Sequence, residues 1–129
     1  MKLNLRTVSM AALLLLVACR AAQLYDPGRV QARTSSAEDM RQAILVSLAA
    51  RGWVAAEDQP GVIHATLYVR AHTAKIRIDY DAESFDINYA DSSNLEYEKS
   101  AGGTEYIHEN YNSWVQNLVR DISIRAGRA

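Results

Sequence analysis

The chain has 129 residues, enough for one domain built around a single core. Apolar residues make up 49% and charged residues 22%, which is a globular rather than a disordered composition, and a formal charge of -1 leaves no basic stripe of the kind that neutralises phosphates. Nucleic acid is therefore not an expected partner, and the single cysteine, Cys19, rules out an intramolecular disulfide or a thiolate metal cage.

Met1–Arg6 carries Lys2 and Arg6 and no acid, and residues 8–17 are almost entirely apolar. A helix of that length reaches about 15 Å, half of a hydrocarbon core of roughly 30 Å, so the segment reads as the apolar core of an export signal and not as a permanent span. The run ends in Leu16-Val17-Ala18-Cys19, which resembles the lipobox of bacterial lipoproteins. Val17 departs from the Ser, Ala or Thr more usual at its position. The resemblance implies a signal peptide over 1–18, cleavage before Cys19, and lipid attachment at Cys19 through a diacylglyceryl thioether and a fatty acyl group such as palmitate. The membrane then becomes a partner through this anchor, since two or three acyl chains hold a protein on a bilayer where one does not. By the same resemblance, Arg20 in place of an aspartate favours the outer membrane, with the domain facing the periplasm. Loss of Lys2 and Arg6 leaves 12 basic side chains against 15 acidic, a mature charge of -3.

Residues 19–35 lack apolar periodicity and contain Pro27, Gly28 and the bases Arg20, Arg29 and Arg33. They read as a lipidated flexible tether that either touches anionic lipid through its arginines or serves only as a linker. The domain proper is expected over 36–129. Ser36 followed by Glu38 and Asp39 is a helix-start signal, and Met40, Ala43, Ile44, Ser47 and Leu48 recur at helical spacing up to Arg51 and Gly52. From Trp53 the period becomes two, with a first turn at Gln59-Pro60-Gly61. A second strand over 62–70 places Ile63, Ala65, Leu67 and Val69 opposite His64, Thr66, Tyr68 and Arg70. A third over 74–81 turns Ile76, Ile78 and Tyr80 inward, and a fourth over 85–90 does so with Phe85, Ile87 and Tyr89. The stretch 91–106 is polar, contains Gly102-Gly103, and reads as a long loop with a short extended piece near 95–98. Helical period returns over 107–126, with Tyr111, Trp114, Val115, Leu118, Val119 and Ile122 on one side.

These elements predict an α+β fold in two layers, a helix, a four-stranded antiparallel meander and a second helix, with both helices on one face of the sheet and the other face wet. The chemistry-bearing residues form no recognisable catalytic set. His64, His72 and His108 show no ligand spacing, so neither metal nor cofactor is implied. Asp79, Asp81, Glu83 and Asp86 lack the glycine and closing glutamate of a calcium loop, and there is no nucleophile elbow or phosphate loop. The stretch 79–109 holds nine acids and one base, Lys99, which would steer a basic partner or simply aid solubility.

His108-x-x-Tyr111-Asn112-x-Trp114 in the last helix, together with the lipobox, resembles a group of small bacterial envelope lipoproteins that end in such a helix after a meander. The resemblance implies a compartment and no activity. His108 and Asn110 can cap the helix while Tyr111 and Trp114 pack on the sheet; alternatively His108, Tyr111, Trp114 and His64 contribute to a binding site. The expected function is a non-catalytic envelope module that binds an envelope protein, glycan or peptide through the wet sheet face or the 91–106 loop. The alternative is a small periplasmic hydrolase or metal-dependent enzyme using His64 or His108 with a nearby carboxylate.

Overall fold

A computed structural model of the chain describes residues 21–129. The signal peptide expected over 1–18, the lipidation site Cys19 and the sorting residue Arg20 lie outside the described residues. In chain order the elements are β1 (Ala21–Gln23), β2 (Arg29–Gln31), α1 (Ala37–Ala50), β3 (Val54–Gln59), β4 (Val62–Val69), β5 (His72–Tyr80), β6 (Ser84–Ser93), β7 (Glu98–Lys99), β8 (Glu105–His108) and α2 (Glu109–Ala126). The protein is α+β, with two helices and two antiparallel sheets, one of five strands in the order β2-β6-β5-β4-β3 and one of three in the order β1-β8-β7. Among the described residues no helix is long and apolar enough to cross a membrane.

Alternation dictates the large sheet. Ile63, Ala65 and Leu67 of β4, Ala74, Ile76 and Ile78 of β5, and Phe85 and Ile87 of β6 are all buried, and the cross-strand register Ile63↔Ile78↔Ile87 aligns them in a row. Met40, Ala43, Ile44 and Leu48 of α1 and Tyr111, Val115, Leu118, Ile122 and Ala126 of α2 join the same core. Burying each large aliphatic side chain in this row contributes about 1.5–3 kcal/mol, which makes the register hard to shift, because a slip of one residue would expose the whole set. Ser47 is buried in α1 without penalty because its hydroxyl donates to Ala43 O at 2.7 Å and accepts from Arg125 Nη1 at 3.2 Å.

Four sequence expectations are corrected. The flexible tether expected over 19–35 is, from Ala21 onward, part of the fold: β1 pairs with β8 and β2 with the edge of β6. The single four-stranded meander is therefore a five-stranded sheet with a second small sheet beside it. The basic residues of the supposed tether turn toward acids of the β5–β6 turn, Arg29 to Asp81 at 3.9 Å and Arg33 to Glu83 at 3.3 Å, exposed contacts that contribute little. The loop expected over 91–106 is interrupted by strand: it holds the last three residues of β6, the two of β7 and the first two of β8, while 94–97 and 100–104, with the Gly102-Gly103 turn, lie outside any strand. Residues 107 and 108, assigned to the last helix by their sequence, finish β8, and the helix begins at Glu109. The reason is common to all four. Strands of two to four residues are too short to display a period, and they form here because a partner strand is already in place.

β4 and β5 are joined by the two-residue turn Arg70-Ala71, whose first residue has φ +56° although it is not glycine. That conformation costs an L-residue with a side chain roughly 1–2 kcal/mol, offset in part by the extra unfolded-state freedom of glycine. Arg70→Gly is expected to raise the stability by about 0.5 kcal/mol, seen as a higher urea midpoint at unchanged slope. A lower midpoint would mean that the exposed arginine side chain holds the turn.

Candidate functional site

The histidines and aromatic residues singled out in the sequence occupy different places. His64 lies on the polar face of β4, where its Nε2 is 4.0 Å from Glu57 Oε2. His72 follows the β4–β5 turn, its Nδ1 2.7 Å from Asn94 O. It pairs with Val69, so about 17 Å of strand separates it from His64. His108 is the residue that caps α2, accepting from Asn110 N through Nδ1 at 3.2 Å. Tyr111 is buried in the core, and burial pushes its hydroxyl well above the usual phenol range. Trp114 is half-buried and lines a cleft of about 220 Å³ with Arg51, Trp53, Leu67, Val69 and Asn117. Arg51 is already engaged there, since its Nε donates to Asp121 Oδ2 at 2.7 Å. Among the described residues no group of three His, Cys, Asp or Glu is placed to hold a metal.

A different site is assembled by the segment that the sequence left as tether and loop. After β1 the chain crosses β8's end, with Leu24 N donating to Glu105 O at 2.8 Å. Asn112 on the first turns of α2 then clasps this segment from both sides. Its Oδ1 accepts from Tyr25 N at 2.8 Å, and its Nδ2 donates to Gln23 O at 2.9 Å. A side-chain amide thus stands in for a partner strand, satisfying two backbone groups that β8 does not reach. Asp26-Pro27-Gly28 turns the chain away toward β2, with Asp26 Oδ1 accepting from Gly28 N at 3.0 Å and Gly28 at φ +64°.

This clasp leaves two adjoining concavities that share Leu24, Asp26 and Glu105. One, of about 380 Å³, is completed by Gln23 and the Gly102-Gly103-Thr104 turn. The other, of about 110 Å³, is completed by Tyr25, Ile87, Asn88 and Tyr89. Neither Asp26 nor Glu105 forms an ion pair among the described residues. Glu105 is held in place by Tyr97, whose hydroxyl donates to its Oε2 at 2.9 Å, and that bond raises the Tyr97 phenol above its usual value. Tyr97 in turn stacks on Tyr89 with ring centroids 4.4 Å apart, and Tyr89 meets Tyr111 edge-on at 5.6 Å. Burial raises the Tyr89 phenol as well, against the opposing bond to Ser92. At neutral pH the three phenols therefore stay uncharged and the cleft carries only carboxylate charge.

Two carboxylates without an ion-pair partner, Glu105 positioned by the Tyr97 hydroxyl and Asp26 by its own turn, border a polar cleft and are equipped to accept hydrogen bonds from a cationic group. Asp26 escaped sequence reasoning because it sits between strands of three residues. Its Asp-Pro-Gly turn signature was the available signal, as Gly102-Gly103 was for the β7–β8 turn. Tyr89 and Tyr97 meet only through the β6–β7 connection, which no sequence period reveals. No family model, no curated protein and no solved structure matches the chain.

The clasp gives a direct expectation. Asn112→Ala removes both side-chain bonds and leaves the Tyr25 N–H without a partner, which should cost about 1–3 kcal/mol. The Tyr25-Asp26 peptide should then become the first point of chymotryptic cleavage. Unchanged stability together with first cleavage elsewhere would show that Asn112 does not hold the segment.

Proposed function

We propose that the chain is a lipid-anchored protein of the bacterial cell envelope, exported by the signal at 1–18, lipidated on Cys19 and facing the periplasm from the outer membrane. Its domain, with both helices over the apolar face of the large sheet, acts as a non-catalytic binding module. The ligand surface is the cleft bounded by Asp26, Glu105 and the Gly102-Gly103 turn, and the partner is an envelope protein or peptide that presents a basic side chain there.

One observation carries this reading: Asp26 and Glu105 border the same polar cleft of about 380 Å³ with no base paired to either among the described residues. Paired carboxylates on the rest of the surface, such as Asp58 with Arg41 and Asp121 with Arg51, are already neutralised. A volume in the range of roughly 300–1,000 Å³ suits a ligand group held in a cleft, whereas the 220 Å³ hollow at Trp114 falls short of that range and its arginine is spent on Asp121. The loop version of the binding hypothesis is therefore preferred to the sheet-face version, because the polar face of β4 and β5 carries His64, Arg77 and Asp79 in local pairs, Arg77 with Asp79 at 2.9 Å.

A photo-crosslinking residue at Thr104, placed at the cleft edge in intact cells, should capture a discrete partner. Asp26→Asn combined with Glu105→Gln should reduce that product at least several-fold, and the same probe at Lys75 on the polar sheet face should give none. A partner captured from Lys75 alone, or one indifferent to the double substitution, contradicts the assignment.

A further inference from the structure

The point at which the folded chain begins fixes how such an anchored domain meets its membrane. A free tether of 16 residues would have a mean span of roughly 22 Å and would leave orientation open. From Ala21 onward the described chain has no such slack. β1 starts at Ala21, paired with His108, and the clasp by Asn112 follows at once. Two residue steps separate Cys19 from Ala21, a reach of about 7 Å even if fully extended.

Ala21 also lies at a definable end of the molecule. Its partner His108 donates its backbone N–H to Leu95 O at 2.8 Å. The neighbouring Asn94 donates through Nδ2 to Ala71 O and receives the His72 ring at its carbonyl. The chain therefore enters at the end of the large sheet that carries the β4–β5 turn. The turns at Pro60-Gly61 and at 81–83 mark the opposite end, joined by the bond from Tyr80 N to Gly61 O at 3.0 Å. The eight residues of β4 place the two ends about 26 Å apart.

We infer that the lipidated protein lies directly on the bilayer with its β4–β5 turn end against the headgroups, so that the partner engaged at the Asp26–Glu105 cleft is met close to the membrane surface. The inference rests on the proposed lipidation of Cys19. Exposed tyrosines suit this placement: Tyr68, 67% exposed, is two residues from the turn, and Tyr106, 40% exposed, lies on β8 beside β1. Tyrosine favours the headgroup region, where its ring is shielded and its hydroxyl stays hydrated. Glu96 and Glu109 stand against Arg70 of the turn, so the charge at this end is mixed and a zwitterionic surface suits it.

The test uses the lipoprotein with its native lipid, reconstituted in phosphatidylcholine vesicles that contain a headgroup-labelled quencher. Ala71→Cys and Gln59→Cys, both at exposed positions at opposite ends, carry a fluorophore. Quenching at position 71 should exceed that at 59 several-fold, and a Gly/Ser spacer of about 20 residues inserted between Arg20 and Ala21 should abolish the difference, its mean span being about 25 Å. Equal quenching at both positions, or a difference that survives the spacer, overturns the orientation. Vesicle flotation reads the anchor separately: the parent chain should float and Cys19→Ser should not. A parent chain that fails to float, or a serine variant that does, overturns the anchor and the orientation with it. A floating chain with equal quenching overturns the orientation alone.

Discussion

The clasp of Asn112 on residues 23–25 is the interaction on which the candidate site and the path of the chain into it turn. It joins the start of the folded chain to the start of the last helix, 87 positions apart between Tyr25 and Asn112. Without it the segment 21–28 is held by a three-residue ladder to β8, the Leu24 N bond to Glu105 O and the packing of Leu24 and Tyr25, and so short a ladder is marginal in water. With it, one side chain sets the path of the chain into the Asp26 turn that borders the polar cleft, and brings the start of the described chain to a fixed place on the surface.

The large sheet and the two helices supply the rigid body to which this clasp is fastened. Ile63, Ile76, Ile78 and Ile87 form an interior with little freedom to slide, and the helices add Met40, Ile44, Leu48, Val115, Leu118 and Ile122. The small sheet is attached at the side of that body through Leu95 and Ile107, both buried, and through the Tyr97–Tyr89–Tyr111 stack. Core packing thus reaches the cleft through aromatic contacts, and the carboxylate of Glu105 inherits its position from Tyr97. The division is physically sensible: apolar area stabilises the body, while hydrogen bonds, each contributing only about 1 kcal/mol net, specify the shape of the site.

Much of the body was legible in the sequence and almost none of the cleft was. The helices were readable because Met40, Ile44 and Leu48, and likewise Tyr111, Val115, Leu118 and Ile122, recur at helical spacing, and Ser36 is the capping residue it promised to be, accepting from Asp39 N at 3.1 Å. The alternating runs around Ile63, Ile76 and Phe85 were equally clear. The cleft escaped because its parts are far apart in the chain and individually unremarkable. Gln23, Tyr25 and Asp26 carry no period, Glu105 is one acid in an acidic run, and Asn112 is a polar residue on an exposed helical turn. Only pairing with β8, a non-local event, gives them a common address. The signature that drew notice, His108-x-x-Tyr111-Asn112-x-Trp114, contains the decisive residue, but His108, Tyr111 and Trp114 cap, pack and line a separate hollow while Asn112 holds the chain.

Amide hydrogen exchange at Leu24 and Tyr25 tests the central claim most directly, because these two N–H groups donate to Glu105 O and Asn112 Oδ1. Both should exchange orders of magnitude more slowly than an unstructured peptide, in step with residues of β8. Exchange at the free-peptide rate, with β8 still protected, would show that the segment is a loose tether after all, and the cleft and the fixed entry point would fall with it.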